Sequence, residues 1–290
     1  MTLSLPNLGL GIGWRAQLAH AILNRPDIGF VEILAEDYFL SETIPPPLQA
    51  LHDRGVHIIP HGVGLNLGGA EPIDPARLAA LGELAQRMQA PFVSEHIAFV
   101  RAAGLETGHL LPIPRTHAML DILVKNIRQA EAALPVPLVL ENIAILFDWP
   151  NAEMDEAAFL NAICERTDAL LLLDLENIYA NARNLGGDPV ALLDRLPLER
   201  VAYVHVAGGY EADGVFHDTH AHPLHEEVVA LVEALYARMA VPGVMLERDD
   251  RFPDDAELGT ELDAIAAAIA RGNIERHERG FAHPVLSDAS

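Results

Sequence analysis

The chain has 290 residues, half of them hydrophobic, and 19 basic against 42 acidic side chains leave a formal net charge of −23. Such a surface repels a phosphate backbone, and no basic strip interrupts it, so a nucleic-acid partner is excluded. No stretch approaches the roughly 20 unbroken apolar residues that span a bilayer, and a lone cysteine, Cys164, excludes intrachain disulfides and thiolate-rich metal sites.

Residues 1–6 carry no basic region ahead of an apolar block, so no signal peptide is expected and cytoplasmic residence is the default. Eight short apolar runs follow, at 8–12, 30–34, 57–61, 92–96, 138–141, 170–174, 202–206 and 244–247. Their hydrophobicity is continuous rather than alternating, which predicts strands buried on both faces, as in a parallel sheet. Helical spacing fills the intervals. Leu120, Leu123, Val124, Ile127 and Ala130 share a face over 117–134, as do Val228, Leu231, Val232 and Leu235 before the last strand. Leu258, Leu262, Ile265 and Ile269 form a final stripe, with Gly272 as the expected helix stop.

Strand and helix alternate eight times, which predicts an α/β fold closed into a single (β/α)8 TIM-type barrel over 1–272, with a polar C-terminal tail over 273–290. An open doubly wound sheet would want a phosphate-binding glycine turn after its first strand. Gly9-Leu10-Gly11-Ile12-Gly13 has neither the spacing nor the following helix. Cys164, among Phe159, Leu160 and Ile163, reads as a buried small hydrophobe.

In such barrels functional groups stand at the C-terminal strand ends. Those positions carry His61, His96, Glu141, Asp174, His205 and Glu247, with Asn142, Asn177 and Asp249 close by and Asp218 and His220 in the loop after the seventh strand. Each has an ordinary reading. A histidine beside a strand is commonly a hydrogen-bonded core residue, Asp174 and Glu141 would serve as helix caps, and Glu247-Arg248-Asp249 would serve as a solvated ion-pair cluster. Together they are harder to explain that way, because so many carboxylates in one mouth repel one another unless cations compensate.

Imidazole and carboxylate donors without thiolate suit iron, manganese or zinc. So many ligand-type residues exceed what one ion needs, which implies about two or three ions that jointly activate water, oxygen or substrate. Asp249 then stands as an acid or base beside Glu247. The donor types alone leave hydrolysis and redox chemistry both open. Tyr38 and Tyr210 either line the pocket or pack. His109, His217, His222 and His225 fall in the mouth loops.

The ordered motifs VEILAEDYF (31–39), HGVGLNLGG (61–69), SEHIAF (94–99), LLPIP (110–114), LENI (140–143), LLLDLENIYANARNLGGDP (171–189), VHVAG (204–208), DTHAHP (218–223) and LERD (246–249) carry a resemblance. The sequence resembles the multinuclear non-heme iron-dependent oxidative enzymes, the group containing the oxidase of methanobactin biosynthesis, over nearly the whole chain. The resemblance implies a TIM-type barrel with two or three irons held by His61, His96, Glu141, Asp174, Asn177, His205, Asp218, His220 and Glu247, and Glu141 or Asp174 as the bridge. It implies dioxygen as co-substrate, a ribosomally made precursor peptide as substrate with cysteine the commonest target, and a separate peptide-recognition protein as partner. Glu141, Asp174 and Asp249 would then do the chemistry.

Three positions depart from the family pattern: Glu176 where an asparagine is usual, Gly209 where a histidine is common, and Glu36-Asp37-Tyr38 in place of Glu-Asn-Tyr. Two other functions remain to be weighed. One is a hydrolase or isomerase of the related endonuclease or sugar-isomerase barrels, against which stand the acidic charge and the lack of an obvious sugar-handling lysine or His–Asp pair. The other is a non-catalytic metal-binding scaffold, against which stands the number of ligand-type residues.

Overall fold

The structure is a computed structural model that describes residues 5–280. Eight parallel strands, β1 (Gly9–Gly13), β2 (Ile28–Leu34), β3 (His57–Gly62), β4 (Val93–His96), β5 (Leu138–Glu141), β6 (Leu170–Asp174), β7 (Val201–Val206) and β8 (Gly243–Leu246), form a closed barrel. Each strand pairs with its neighbours in sequence, and β8 closes on β1 with Gly9 beside Gly243 and Ile12 beside Leu246. All eight expected strands are present, their ends shifted by at most a residue or two.

Helices α1 (Ala19–Leu23), α2 (Pro46–Asp53), α3 (Pro75–Arg87), α4 (His117–Ala133), α5 (Glu156–Arg166), α6 (Leu175–Leu185), α7 (Pro189–Leu193), α8 (Glu226–Arg238) and α9 (Asp255–Glu278) occupy the connections. Several start at a residue whose side chain accepts from a first-turn amide: Asp74, Thr116, Asp155, Asp174, Asp188 and Asp254. Two hairpins interrupt the alternation, Phe99–Ala102 with Leu105–Leu111 after β4, and Tyr210–Ala212 with Val215–His217 after β7. Both stand over the C-terminal mouth and were not foreseen.

Side chains alternate across each strand, and the alternation divides the core. Val31, Ile33, Leu171, Leu173, Val204 and Val206 pack outward in the large cluster shared with the helices. Phe30, Ile59, Phe92, Val139, Leu172, Tyr203 and Met245 fill the barrel interior. A Cβ at Gly11 would lie 2.3 Å from the Phe30 ring, so the first strand contributes glycine where the second contributes bulk.

The expected stop at Gly272 is wrong. The last helix runs through it to Glu278, and glycine stands at 272 because a side chain there would meet Glu233 O at 2.4 Å. Gly272 is where α9 crosses α8 closely, not where it ends. The expected polar tail is helical from residue 273 to Glu278, and its residues 281–290 lie outside the described residues. Cys164 is half-buried against the core, and burial pushes its thiol up to about 11.

Candidate metal centre

Two residues beyond the apolar interior, the same alternation that turns Phe30, Ile59, Phe92, Val139, Leu172, Tyr203 and Met245 inward turns Glu32, His61, Ser94, Glu141, Asp174, His205 and Glu247 inward. Strand register then sets partners side by side. His61 lies opposite Ser94, His96 opposite Glu141, and Asp174 opposite His205. The groups nearest the floor are almost sealed, with His205 and Asp174 at 0 % exposure.

Four sets of three residues bring one ligand atom each within 4.8 Å of one another: His61, His96 and Glu141; Glu141, Asp174 and His205; Asp174, His220 and Glu247; and Glu32, His205 and Glu247. The first three form a chain in which Glu141 and Asp174 are each shared by two sets. Glu141 Oε2 is 3.4 Å from His61 Nε2 and 3.2 Å from His96 Nε2, while its Oε1 is 3.6 Å from His205 Nδ1. Glu247 Oε2 is 3.0 Å from His205 Nδ1 and 3.3 Å from His220 Nδ1.

The second nitrogen of each inner histidine is occupied, which fixes the first toward the mouth. His61 Nδ1 lies 2.8 Å from Ser94 Oγ, and His96 Nδ1 lies 3.2 Å from the Gly62 carbonyl. His205 Nε2 lies 3.0 Å from Glu32 Oε2, which also accepts a 2.5 Å hydrogen bond from the Tyr203 hydroxyl. With that oxygen engaged twice, Glu32 acts on the site through the orientation of His205. His220 adopts the left-handed backbone region at φ 50°, and its carbonyl accepts from Asp249 N.

Charge alone would not leave these groups as they are. Burial pulls the His96 imidazole down, but Glu141, Glu95 and Glu247 outweigh it and push it up to about 9. Burial likewise works against Glu141, yet His96, His205 and His61 hold its carboxyl down at about 2. Asp174, buried and facing Glu141 and Asp218, is pushed well above the usual carboxylate range.

The polar bookkeeping shows what kind of partner is missing from such an arrangement. Glu141 Oε2, Asp174 Oδ2, Asn177 Oδ1, His205 Nδ1, Asp218 Oδ1 and His220 Nε2 are buried atoms with no hydrogen bond. Several sit within 4 Å of an opposite charge without hydrogen-bond alignment, as do His220 Nε2 and Asp218 Oδ1 at 2.8 Å. Buried polar atoms are nearly always satisfied. Imidazole nitrogens and carboxylate oxygens whose free lone pairs converge are a donor set able to hold metal ions.

Eight of the expected site residues meet here: His61, His96, Glu141, Asp174, His205, Asp218, His220 and Glu247. Asn177 borders the same mouth, with its Nδ2 donating to the Asn142 carbonyl and its Oδ1 free. Asp174 Oδ1 also accepts from Asn177 N, so the capping role and the site role fall on different oxygens of one carboxylate. Asp249 sits at the rim, exposed, bonded to Arg15, with Oδ2 3.4 Å from His220 Nδ1. Arg248 is not part of a solvated cluster. It is buried and makes a bidentate pair with Glu261.

The sequence reading missed Glu32, Ser94, Tyr203 and Arg15. Alternation along each strand was the available signal for the first three, since Glu32 and Ser94 stand two residues after Phe30 and Phe92, and Tyr203 two before His205. Above the centre a cavity of about 730 Å³ opens between the two hairpins, walled by His109, Leu111, Leu146, Phe147, Phe216 and His217. His222 and His225 lie outside it, and Tyr38 packs in the core.

A family model described as the RiPP precursor modification enzyme MbnB/TglH/ChrH matches residues 9–270. The chain belongs to this family. A UPF0276 protein of Streptomyces avermitilis is 50 % identical over 275 residues, covering 92 % of this chain but 56 % of that protein, so the chain spans little more than half of it. A UPF0276 protein of Caulobacter vibrioides is 35 % identical over 275 residues, covering 94 % of this chain and 98 % of its own length. Among solved structures, endonuclease IV from Thermus thermophilus is similar with a TM-score of 0.58 at 18 % identity, covering 90 % of this chain and 99 % of its own. D-psicose 3-epimerase from Clostridium cellulolyticum gives 0.54 at 12 %, covering 93 % and 98 %. At these identities the likeness is one of fold. The family's own description is that of enzymes that modify precursor peptides. Among the described residues, no helix is long and apolar enough to cross a membrane.

Proposed function

We propose that this chain is a multinuclear non-heme iron-dependent oxidase that uses dioxygen to modify a residue, cysteine foremost, of a ribosomally synthesised precursor peptide. The observation that carries the reading is the chain of three-residue sets joined through Glu141 and Asp174, with free lone pairs converging at the buried floor of the mouth. His61, His96, Glu141, Asp174, His205, His220 and Glu247 would hold two or three irons, with Asn177 and Asp218 as further ligands. Bound iron supplies the one-electron chemistry and affinity for oxygen that side chains lack.

The protein's own groups supply position and proton handling. Ser94, Gly62 and Glu32 orient the three inner imidazoles. Glu141 and Asp174, each common to two of the three-residue sets, would be the carboxylates shared between neighbouring ions. Asp249, at the rim beside Arg15, is placed to exchange a proton with a group entering the cavity. The apolar wall of Leu111, Leu146 and Phe147 suits a peptide segment rather than a sugar. A separate peptide-recognition protein delivers that peptide, and the enzyme works in the cytoplasm.

Anaerobic purification with metal analysis and Mössbauer spectroscopy tests the reading. Two or more irons per chain, and oxygen uptake on adding a cysteine-containing precursor peptide, are expected. Stoichiometric zinc with hydrolytic turnover would replace this reading with that of a metal-dependent hydrolase.

A further inference from the structure

Behind the mouth lies a small cavity of about 50 Å³ that takes no part in the centre described above. Its apolar wall is made by Ile97, Ile113, Ile143, Ile145, Phe159 and Leu160, all of them buried. Ile143 and Ile145 pack with Ala98 in a cluster of their own, whereas Ile97, Ile113, Phe159 and Leu160 belong to the large core. The cavity is the gap between these two packed groups.

The polar side chains around it are engaged elsewhere. The Asn142 amide donates to the Asp174 carbonyl and accepts from Asp174 N. The Asn181 amide donates to the Ile143 carbonyl and accepts from Ile145 N, and Arg115 is bound to the Met154 carbonyl and to Asp148. A buried water needs roughly two to four polar partners, and an apolar cavity that lacks them stays dry and takes up apolar guests such as xenon.

Two larger cavities adjoin it. Pro112, Ile143 and Ile145 line both the small cavity and the cavity of about 730 Å³ over the centre, so these three side chains are the partition between them. On the other side, Arg115, Ile145, Glu156 and Asn181 are shared with a cavity of about 390 Å³ between α5, α6 and α7. That one opens to solvent on the flank of the barrel, where Asp155, Leu185 and Asp188 are exposed.

We propose that the small cavity holds dioxygen and is its side entrance to the centre. The inference rests on the oxidase reading above and adds a route to it. A peptide lying in the mouth cavity covers the direct approach to the ligands. A dry gap of about 50 Å³ admits an apolar diatomic gas and excludes a peptide segment. Side chains in packed cores still hop between rotamers, and such changes at Ile143 and Ile145 open the partition.

Crystals of the protein pressurised with xenon test the site without any turnover. Xenon is expected between Ile97, Ile143 and Leu160. Leu160→Phe fills the gap from α5, away from the mouth, and should abolish that xenon site. In the iron-loaded enzyme the same variant should raise the KM for oxygen about tenfold, while the KM for the precursor peptide and kcat at saturating oxygen keep their wild-type values. If Leu160→Phe fails to fold, Phe159→Trp fills the same gap and carries the same expectations. An empty wild-type cavity under xenon, or an unchanged oxygen KM in a variant whose xenon site is gone, overturns the proposal and leaves the oxidase reading standing. Iron-loaded wild type that takes up xenon there but consumes no oxygen with a cysteine-containing precursor peptide overturns the oxidase reading, and the proposed use of the cavity with it.

Discussion

Glu141 Oε2 lies 3.2 Å from His96 Nε2 and has no hydrogen-bond partner of its own. The two residues face each other because strand register places them opposite at the ends of β4 and β5. Glu141 also belongs to the set with Asp174 and His205, so one carboxylate serves two groups.

Glu141→Gln should therefore cost more than one ion. Metal analysis after reconstitution is expected to show two fewer ions per chain, and turnover of the precursor peptide should fall by at least about 100-fold, as for loss of a group that stabilises the reacting charge. Loss of no ion would contradict the shared role.

Tyr203→Phe removes the hydroxyl that donates to Glu32 and stands 2.7 Å from Ser94 Oγ. Both neighbours orient a histidine of the centre, Glu32 through His205 and Ser94 through His61. Leaving buried partners unpaired should destabilise the metal-free protein by about 1–3 kcal/mol. Metal affinity should weaken by roughly 10–100-fold, the usual consequence of losing an orienting partner. Denaturant melts and competitive chelation measure the two effects separately.

The barrel was legible because strands buried on both faces leave unbroken apolar runs, and the residue that ends such a run is where a polar group first meets the mouth. His61, His96, Glu141 and Asp174 stand at that break, and His205 stands one residue before it. Glu32 escaped because Ile33 and Leu34 carry the apolar run past it, and Tyr203 because an aromatic inside a strand reads as core. The two hairpins were illegible for a different reason. Leu105–Leu111, with Glu106, Thr107, Gly108 and His109, forms a mostly exposed strand paired only to its neighbour, so it has no apolar periodicity to reveal it. Gly272 misled because a glycine at a close helix crossing and a glycine after a helix end look alike without the crossing partner.

Arg248 lies between Glu247 and Asp249 in sequence and turns away from both, into a bidentate pair with Glu261 of the last helix. Glu261 Oε1 also accepts from Leu224 N. Glu261→Ala leaves a guanidinium that is 1 % exposed with Glu257, at 3.5 Å, in place of its bidentate partner and should destabilise the protein by about 3 kcal/mol. The paired replacement Arg248→Met with Glu261→Leu should recover much of that loss in a double-mutant cycle. Additive losses would show that the two side chains act independently.

Glu156, the first residue of α5, gives a pH dependence separate from the metal centre. Burial raises its carboxyl, Arg115 and Asn181 oppose, Asp148 and Asp155 add, and the result is about 7. A carboxyl raised above its usual value near 4.5 binds its proton more tightly in the folded chain than in the unfolded one. The stability it contributes is complete below about 4.5 and is lost as the pH rises through about 7. Glu156→Gln, neutral throughout, should match wild type near pH 4 and melt higher at pH 8. The favourable interaction of a first-turn anion with the helix dipole, about 0.3–1 kcal/mol, works against that gain. Melting temperatures of both proteins at pH 4, 6 and 8 decide the matter, and a difference that does not change with pH would show that Glu156 ionises freely in the folded chain.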